Sequence, residues 1–187
     1  MTKYDPNKHH RHSIRLKGYD YTQPGAYFIT ICTYQRHMLL GEITGGVMIL
    51  NKFGRILKDE WFKTAKIRGN VQLHEDEFVV MPNHLHGIVW IVAGATGPVA
   101  PTQNDLPHGP KPGSVGAIIG QFKSVTTKRF NQILHSPGVS LWQRNYYEHI
   151  VRNDGELYAI RKYIRENPRK WELDQDNPVN LQIGNES

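Results

Sequence analysis

The sequence predicts a domain that mixes β-strands with α-helices, the α+β class, and two kinds of pattern lead to this prediction. Runs of β-branched and aromatic residues at 26–34 and 78–92 have the composition of strands. Apolar residues recur at helical spacing over 51–67 and 115–134. With 187 residues, 39% of them hydrophobic, the chain is long enough for one domain with its own core.

The first half of the chain alternates strands, turns and one helix. A turn at 24–25 precedes the strand at 26–34, and Gly45 and Gly46 mark a second turn. Asn51 is a suitable N-cap for the helix at 51–67. Its predicted apolar face consists of Phe53, Ile56, Leu57, Trp61 and Phe62. We expect Phe53 and Trp61 to lie in the core.

A short strand at 71–73 is predicted to pair as a hairpin with the strand at 78–92. Within that longer strand, Pro82 and Asn83 predict a bend or a bulge.

The second half begins with the Pro- and Gly-rich stretch 94–113, which predicts a mobile surface loop. Ser114 is then a suitable N-cap for a helix at 115–134. A strand at 141–151 and a turn at 153–155 lead into a last helix at 156–167, which Pro168 stops.

Charge favours a polyanionic partner, since 23 Lys and Arg residues against 17 Asp and Glu give a net charge of +6. Residues 1–23 form a predicted basic arm, residues 24–170 the domain, and residues 171–187 a polar tail. The arm is either a solvated tail or a segment that contacts DNA phosphates. Its candidate contacts are Lys8, Arg11, Arg15 and Lys17.

The compartment expected for this chain is the cytoplasm. A single cysteine, Cys32, excludes a disulfide within the chain, and a reducing environment fits this composition. The polar and basic start of the chain does not have the pattern of a signal peptide, and no apolar run reaches the ~20 residues that cross a bilayer.

Two histidines, His84 and His86, lie two residues apart inside the apolar run at 78–92. Alternate side chains of a strand point to the same face, so one metal ion could bind both imidazoles. The alternative is that two histidines lie on a partly exposed strand face without a shared ligand.

The last helix offers two further groups, because Tyr163 and Asn167 are four residues apart and therefore share one helix face. If that face meets the histidines, a divalent ion held by His84, His86 and the Asn167 carbonyl oxygen keeps positions open for a phosphate. Such a site suits Mg²⁺ or Mn²⁺ better than a closed zinc site. The chemistry that this set favours is phosphoryl transfer with Tyr163 as nucleophile.

Four segments carry a resemblance to a known family: GAYFITICT at 25–33, FVVMPNHLHGIVWI at 78–91, LWQRNYYEHIVRND at 141–154 and YIRENP at 163–168. On these motifs the chain resembles the single-tyrosine transposases of the HUH superfamily, of the insertion-sequence-200-like type. The resemblance is strongest to the REP-associated tyrosine transposases. The stretch 94–113 is longer than expected for that family, and it either contacts DNA or is tolerated as an insertion.

The resemblance implies a ferredoxin-like domain with a central antiparallel sheet. It also implies cleavage of single-stranded DNA beside hairpins such as bacterial REP elements, through a 5′-phosphotyrosine intermediate. His84 and His86 match the HUH pair, Tyr163 matches the nucleophile and Asn167 matches the position of an amide ligand. The implied protein acts on the bacterial nucleoid, as a monomer or a homodimer.

A second polar cluster lies between residues 144 and 152. Arg144 either pairs with Glu148 or contacts DNA, and His149 competes for a metal-binding or acid–base role. Arg152 and, on the preceding helix, Lys123 are further candidate DNA contacts. Judged by residue type alone, the rival nucleophiles are Tyr146, Tyr147 and Tyr158.

Three functions are therefore distinguished: a metal-dependent DNA strand transferase, a non-catalytic DNA or RNA hairpin binder on the same fold, and a structural metal-binding domain. The joint presence of two histidines, a tyrosine and an asparagine favours the first, because a binder needs no such set.

The basic arm yields a first prediction. Deleting residues 1–17 removes five Lys and Arg residues. If they contact phosphates, the slope of log K against log salt falls by about 0.7 per lost contact on single strands and about 0.9 on duplex. Titrations of a hairpin oligonucleotide at several salt concentrations measure this slope, and an unchanged slope would identify a solvated tail.

Overall fold

The computed structural model describes residues 16, 18–93, 109–174 and 176–183, the last three of them as backbone only. Most of the predicted loop at 94–113 and the arm residues Lys8, Arg11, Arg15 and Lys17 lie outside this range. The strands are β1 (Gly25–Cys32), β2 (Gly41–Thr44), β3 (Val47–Leu50), β4 (Val71–Gln72), β5 (Phe78–Val80), β6 (His84–Ile91) and β7 (Tyr147–Val151). The helices are α1 (Lys52–Ile67), α2 (Val115–Ile133), α3 (Asp154–Glu166) and α4 (Pro178–Ile183).

The main sheet is antiparallel and has the order β4-β6-β1-β7, with β5 also paired to β6. The chain passes in turn through β1, α1, β5, β6, α2 and β7. With β1 and β6 central and β5 and β7 outside them, this is the ferredoxin-like arrangement, and the predicted α+β fold is confirmed. The hairpin of β2 and β3 forms a separate two-stranded sheet.

The pairing of β1 with β6 decides which side chains meet on each face of the sheet. Cys32 lies opposite His84 and Thr30 opposite His86, so these four side chains share one face. The intervening residues, Leu85 among them, face the other way.

Helices cover both faces. On one face α1 and α2 pack over the main core, whose buried members include Ile29, Leu57, Leu85 and Phe122. On the other face α3 packs over a smaller cluster of Ala26, Phe28, Ile88 and Ile164. The histidines therefore lie on the face that carries α3.

The helices follow the sequence prediction closely. The Asn51 side chain accepts hydrogen bonds from two backbone N–H groups of α1, and the Ser114 side chain caps α2 in the same way. Trp61 is buried, and Phe53 packs against Phe130 with ring centroids 4.4 Å apart. In the part of the chain that is described, no helix is long and apolar enough to cross a bilayer.

Three predicted elements differ from the structure. The run at 78–92 is two strands, because the chain reverses at 81–84 and β5 pairs with β6. The predicted strand at 141–151 is β-structure chiefly from Tyr147, and Trp142 forms an isolated bridge with Thr33. The last α-helix ends at Glu166, and a 3₁₀ segment, Asn167–Leu173, follows it.

A buried carboxylate joins α3 to the sheet. Glu77, 1% exposed, accepts a hydrogen bond from the Trp90 indole at 2.6 Å and another from Arg161 Nε at 2.8 Å. Arg161 lies on α3, so this interaction fixes the helix over β6. Removing one partner would leave a buried charge without compensation.

Gly87 on β6 supports a prediction about packing. A Cβ atom there would lie 2.5 Å from Trp61 Cζ2 and 3.1 Å from Phe78 Cδ2. Because those rings stack on each other with centroids 5.0 Å apart, neither can move away easily. We expect Gly87→Ala to lower the free energy of unfolding by about 1–3 kcal/mol in urea denaturation.

A matched control is Gly120→Ala, since Gly120 lies in α2 and its added Cβ would meet no atom within 4 Å. There the helix propensity of alanine should raise the free energy of unfolding by about 0.5–1 kcal/mol. Equal effects of the two changes would contradict the proposed crowding at Gly87.

Candidate active site

The two histidines of β6 meet at their Nε2 atoms. His84 is 0% and His86 2% exposed, and their Nε2 atoms are 3.0 Å apart. The alternation of the strand brings both rings to the same face, as predicted. Two imidazole nitrogens buried at this distance are rare unless they share a hydrogen or a metal ion.

Asn83 fixes the hydrogen positions of His84. Its amide nitrogen donates to the carbonyl oxygens of Arg36 and Asp176 at 3.1 and 2.7 Å, so its Oδ1 atom must face His84. That oxygen accepts from His84 Nδ1 at 2.8 Å. His84 therefore carries its hydrogen on Nδ1 and directs the lone pair of Nε2 into the site.

His86 has an adaptable neighbour. Its Nδ1 atom lies 2.8 Å from the Thr30 hydroxyl, which can donate or accept. The hydrogen of His86 can therefore occupy either ring nitrogen, and Nε2 can become a metal ligand while Nδ1 donates to Thr30.

Burial keeps both imidazoles neutral. Burial, and to a smaller extent the charge of Arg36, lowers the pKa of His84 to about 3. Burial and the neighbouring His84 likewise hold the pKa of His86 well below its ordinary range. Neutral imidazole is the form that binds metal ions, so the nitrogens are ready to do so at neutral pH.

Tyr163 of α3 reaches the histidines. Its Oη atom lies 3.2 Å from His86 Nε2, and its ring is 5.0 Å from the His86 ring. The side chain is 44% exposed, so one side of the phenol remains open to solvent. Burial of its other side, with Asp174, raises the pKa of Tyr163, and a hydrogen bond from Asn167 opposes this rise.

Asn167 begins the 3₁₀ segment and is 3% exposed. Its Oδ1 atom is buried without a hydrogen-bond partner in the described structure. An unpaired buried amide oxygen is costly, and a cation would satisfy it.

The donor set fits a divalent cation on three counts: a directed lone pair on His84, an adaptable His86 and an unpaired oxygen on Asn167. Metal–nitrogen bonds of ~2.1 Å at right angles would put two nitrogens about 3.0 Å apart. The separation of the two Nε2 atoms is 3.0 Å. This geometry is compatible with a divalent cation, and the assignment of His84, His86 and Asn167 as its ligands stays a prediction.

Residues beyond position 170 also border the site, which sequence reasoning missed. The Trp171 ring is 6.0 Å from that of His84, and Asp174 Oδ2 lies 4.0 Å from His84 Nε2. Asp174 and Asp176 form with His84 a group whose potential ligand atoms lie within 4.8 Å of one another. The predicted limits of arm, domain and tail stay predictions.

Three of the predicted DNA contacts, Lys123, Arg144 and Arg152, lie within the described residues. Lys123 Nζ donates to the carbonyl oxygens of Gln143 and Arg144 at 2.6 and 3.0 Å, and burial lowers its pKa. Lys123 and Arg144 line one surface cleft. Arg152 is exposed and lies 3.9 Å from Glu156. Their contact with DNA remains a prediction.

Of the rival groups, Tyr147 shares the neighbour Phe28 with His86 and Tyr163, and the others have different neighbours. Tyr146 donates to Glu148 at 2.8 Å, and Tyr158 is 67% exposed on α3. The Tyr147 ring lies 6.2 Å from that of Phe28. His149 Nε2 lies 3.3 Å from a Glu156 oxygen.

Comparisons with known proteins add two findings, although no family model matches the chain. An uncharacterized protein of Haemophilus influenzae is 40% identical over 178 residues, which cover 93% of this chain and 97% of that protein. A solved REP-associated tyrosine transposase bound to a REP hairpin is similar with a TM-score of 0.54. It is 18% identical and the match covers 84% of this chain and 74% of that one, so the shared property is the fold.

The buried histidines predict a pH dependence of stability in metal-free protein. The pKa of His84 is about 3 in the folded protein and about 6.5 in the unfolded chain. Between these two pH values the His84 imidazole is therefore protonated in the unfolded chain and neutral in the folded protein. The free energy of unfolding therefore falls as pH decreases below about 6.5, by at most ~1.4 kcal/mol per pH unit for this residue. His86 acts in the same direction.

Urea denaturation at pH 5–7 in the presence of a chelator measures this dependence. The double variant His84→Ala, His86→Ala is the control, because its other titrating groups are unchanged. We expect its stability to vary less steeply with pH, and identical slopes would contradict the assignment.

Proposed function

This chain belongs to one family with the Haemophilus influenzae protein and has the fold of a REP-associated tyrosine transposase, and on this basis we propose that it is a metal-dependent single-tyrosine DNA transposase. It would cleave and rejoin single-stranded DNA beside hairpins such as REP elements, on the bacterial nucleoid. The observation that carries the proposal is the 3.2 Å contact between Tyr163 Oη and His86 Nε2.

The reaction proposed is a transesterification. Tyr163 Oη attacks the scissile phosphorus, the bond from phosphorus to the 3′ oxygen breaks, and the 5′ phosphate becomes a diester of the phenol. The phenolic proton passes to solvent on the exposed side of the ring, and the departing 3′ oxygen takes a proton from water. Attack of a 3′ hydroxyl on this diester rejoins the strand and restores Tyr163.

The protein supports this step by holding its groups in position. Glu77 fixes Arg161, two residues before Tyr163, and so limits the movement of the nucleophile relative to β6. The Phe28 ring stacks on that of His86 with centroids 5.6 Å apart and meets the Tyr163 ring edge-on at 6.1 Å. The phenol is consequently presented at a fixed distance from the imidazoles.

A divalent cation held by His84, His86 and Asn167 would stabilise the phenolate and neutralise charge on the phosphate oxygens. This assistance is needed because burial and Asp174 raise the pKa of Tyr163. Ordinary tyrosine, with a pKa of about 10, is already almost wholly neutral at pH 7.

DNA binding is supported by the net charge of +6 and by the cleft that Lys123, Lys128 and Arg144 line. The Lys123 ammonium is occupied by two backbone carbonyl groups. Its proposed contribution is therefore to shape the cleft, whereas the exposed Arg144 is free to approach a phosphate.

The test uses the full chain and a pool of labelled hairpin oligonucleotides with randomised single-stranded flanks, with Mn²⁺, with Mg²⁺ or with chelator. We expect a covalent adduct that survives SDS with either metal and none with chelator. Tyr163→Phe should form no adduct, a loss of at least ~10²-fold, because the nucleophile is missing while the DNA-binding surface is intact.

Matched controls are Tyr146→Phe, Tyr147→Phe and Tyr158→Phe, which we expect to form the adduct. Mass spectrometry of the DNA-linked peptide identifies the nucleophile directly, and a linked peptide without Tyr163 would overturn the mechanism. Retention of the hairpin without any adduct would instead support the non-catalytic hairpin binder.

A further inference from the structure

We propose that Asp174 is a fourth protein ligand of the cation, in addition to His84, His86 and Asn167. This inference rests on the proposed function, since it concerns the same site. It assigns a role to the segment after α3, which neither the histidine motif nor the tyrosine helix includes.

Geometry directs the Asp174 carboxylate at the histidines. Its Oδ1 atom accepts a hydrogen bond from the Asp176 backbone N–H at 2.7 Å, which fixes the carboxylate plane. The Oδ2 atom then lies 4.0 Å from His84 Nε2, and the side chain is 8% exposed. Two ligand atoms on one ion are separated by about 3.0 Å at right angles and about 4.2 Å when opposite, so this distance fits a shared cation.

Among the described residues, no Lys or Arg side chain forms an ion pair with Asp174. Its side-chain neighbours include Asn167, which forms a hydrogen bond with the carboxylate. Within the described ranges, His84 is the one basic side chain within 4.0 Å of the Asp174 carboxylate. Because the hydrogen bond to Asn83 puts the hydrogen of His84 on Nδ1, the lone pair of His84 Nε2 faces a carboxylate oxygen with no positive charge between them.

Asp176, two residues later, provides the contrast. Its carboxylate forms an ion pair with Arg36, and its backbone carbonyl accepts from Asn83. The Asp176 carboxylate is thus already paired with the Arg36 guanidinium, and its backbone carbonyl supports the turn that orients His84. Of the two acidic groups, Asp174 is the one whose charge a metal ion would neutralise.

The chemistry of the ion favours the same assignment. His84, His86 and Asn167 are all neutral ligands, so a divalent cation bound by them alone would keep its full charge in a buried site. Mg²⁺ and Mn²⁺ prefer oxygen ligands, and carboxylates above all. One carboxylate halves the net charge and leaves positions open for a phosphate.

The test is a titration of the full chain with Mn²⁺, in which electron paramagnetic resonance measures the concentration of free Mn²⁺. We expect Asp174→Asn to weaken Mn²⁺ binding by at least ~10-fold. The matched control Asp59→Asn removes the same charge from an exposed position of α1, which covers the other face of the sheet, and should change affinity by less than about 3-fold. His84→Ala serves as the reference for loss of the site.

The outcomes separate the two proposals. If His84→Ala loses Mn²⁺ but Asp174→Asn binds as tightly as wild type, the Asp174 assignment is wrong and the metal site of the proposed function stands. If wild type itself binds no Mn²⁺, both the metal-dependent mechanism and the role of Asp174 fail.

A second variant keeps the test decisive if Asp174→Asn unfolds. A thiolate ligand favours Cd²⁺ over Mn²⁺, so Asp174→Cys should raise the ratio of Cd²⁺ to Mn²⁺ affinity at least ~10-fold over wild type. Cys32 lies near Asp176 both in wild type and in the variant, so comparing their two affinity ratios removes the contribution of Cys32. An unchanged ratio would exclude direct contact between residue 174 and the ion.

Discussion

The antiparallel pairing of β1 with β6 is the constraint on which the site depends. Its register sets Thr30 opposite His86 and Cys32 opposite His84, so all four side chains project toward α3. Because side chains alternate with a period of two, a slip of one residue would send the imidazoles into the core against α1 and α2. Leu85 and Val89, buried in that core, oppose such a slip and so hold the site indirectly.

Asn83 fixes the hydrogen position of His84 in the site that this register brings together. It joins two distant parts of the chain, at Arg36 and Asp176, to the adjacent His84, and each contact uses a different hydrogen-bonding capacity of one buried amide. A side chain with fewer donors or acceptors could not satisfy them together. The reversal at 81–84 that separates β5 from β6 brings Asn83 to this position.

Periodicity made much of the fold and the centre of the site predictable. Alternation placed His84 and His86 on one face, and helical spacing placed Tyr163 beside Asn167. The sequence predicts only a bend at Pro82, because a bent strand and a tight hairpin have the same apolar residues on both sides. The sequence around Asp174 carries no signal, since its segment lacks a period and its contact with His84 spans 90 positions.

The basic residues show a different limit. By residue type Lys123 is a candidate for phosphate contact, yet its ammonium is hydrogen-bonded to the backbone that precedes β7. The residue type shows that a side chain is charged. It does not show whether its ammonium already donates hydrogen bonds to nearby backbone carbonyl groups. Only the fold, which sets α2 beside residues 143 and 144, distinguishes these cases.

The short connection between β7 and α3 has a consequence for how the chain can associate with copies of itself. Only Arg152 and Asn153 separate Val151 from Asp154, and two extended residues span at most ~7 Å. Together with the Glu77–Arg161 ion pair, this link ties α3 to the sheet of its own polypeptide. Exchange of α3 between two copies would therefore have to rearrange residues 152 and 153 and replace the Glu77–Arg161 ion pair by the same contact between chains.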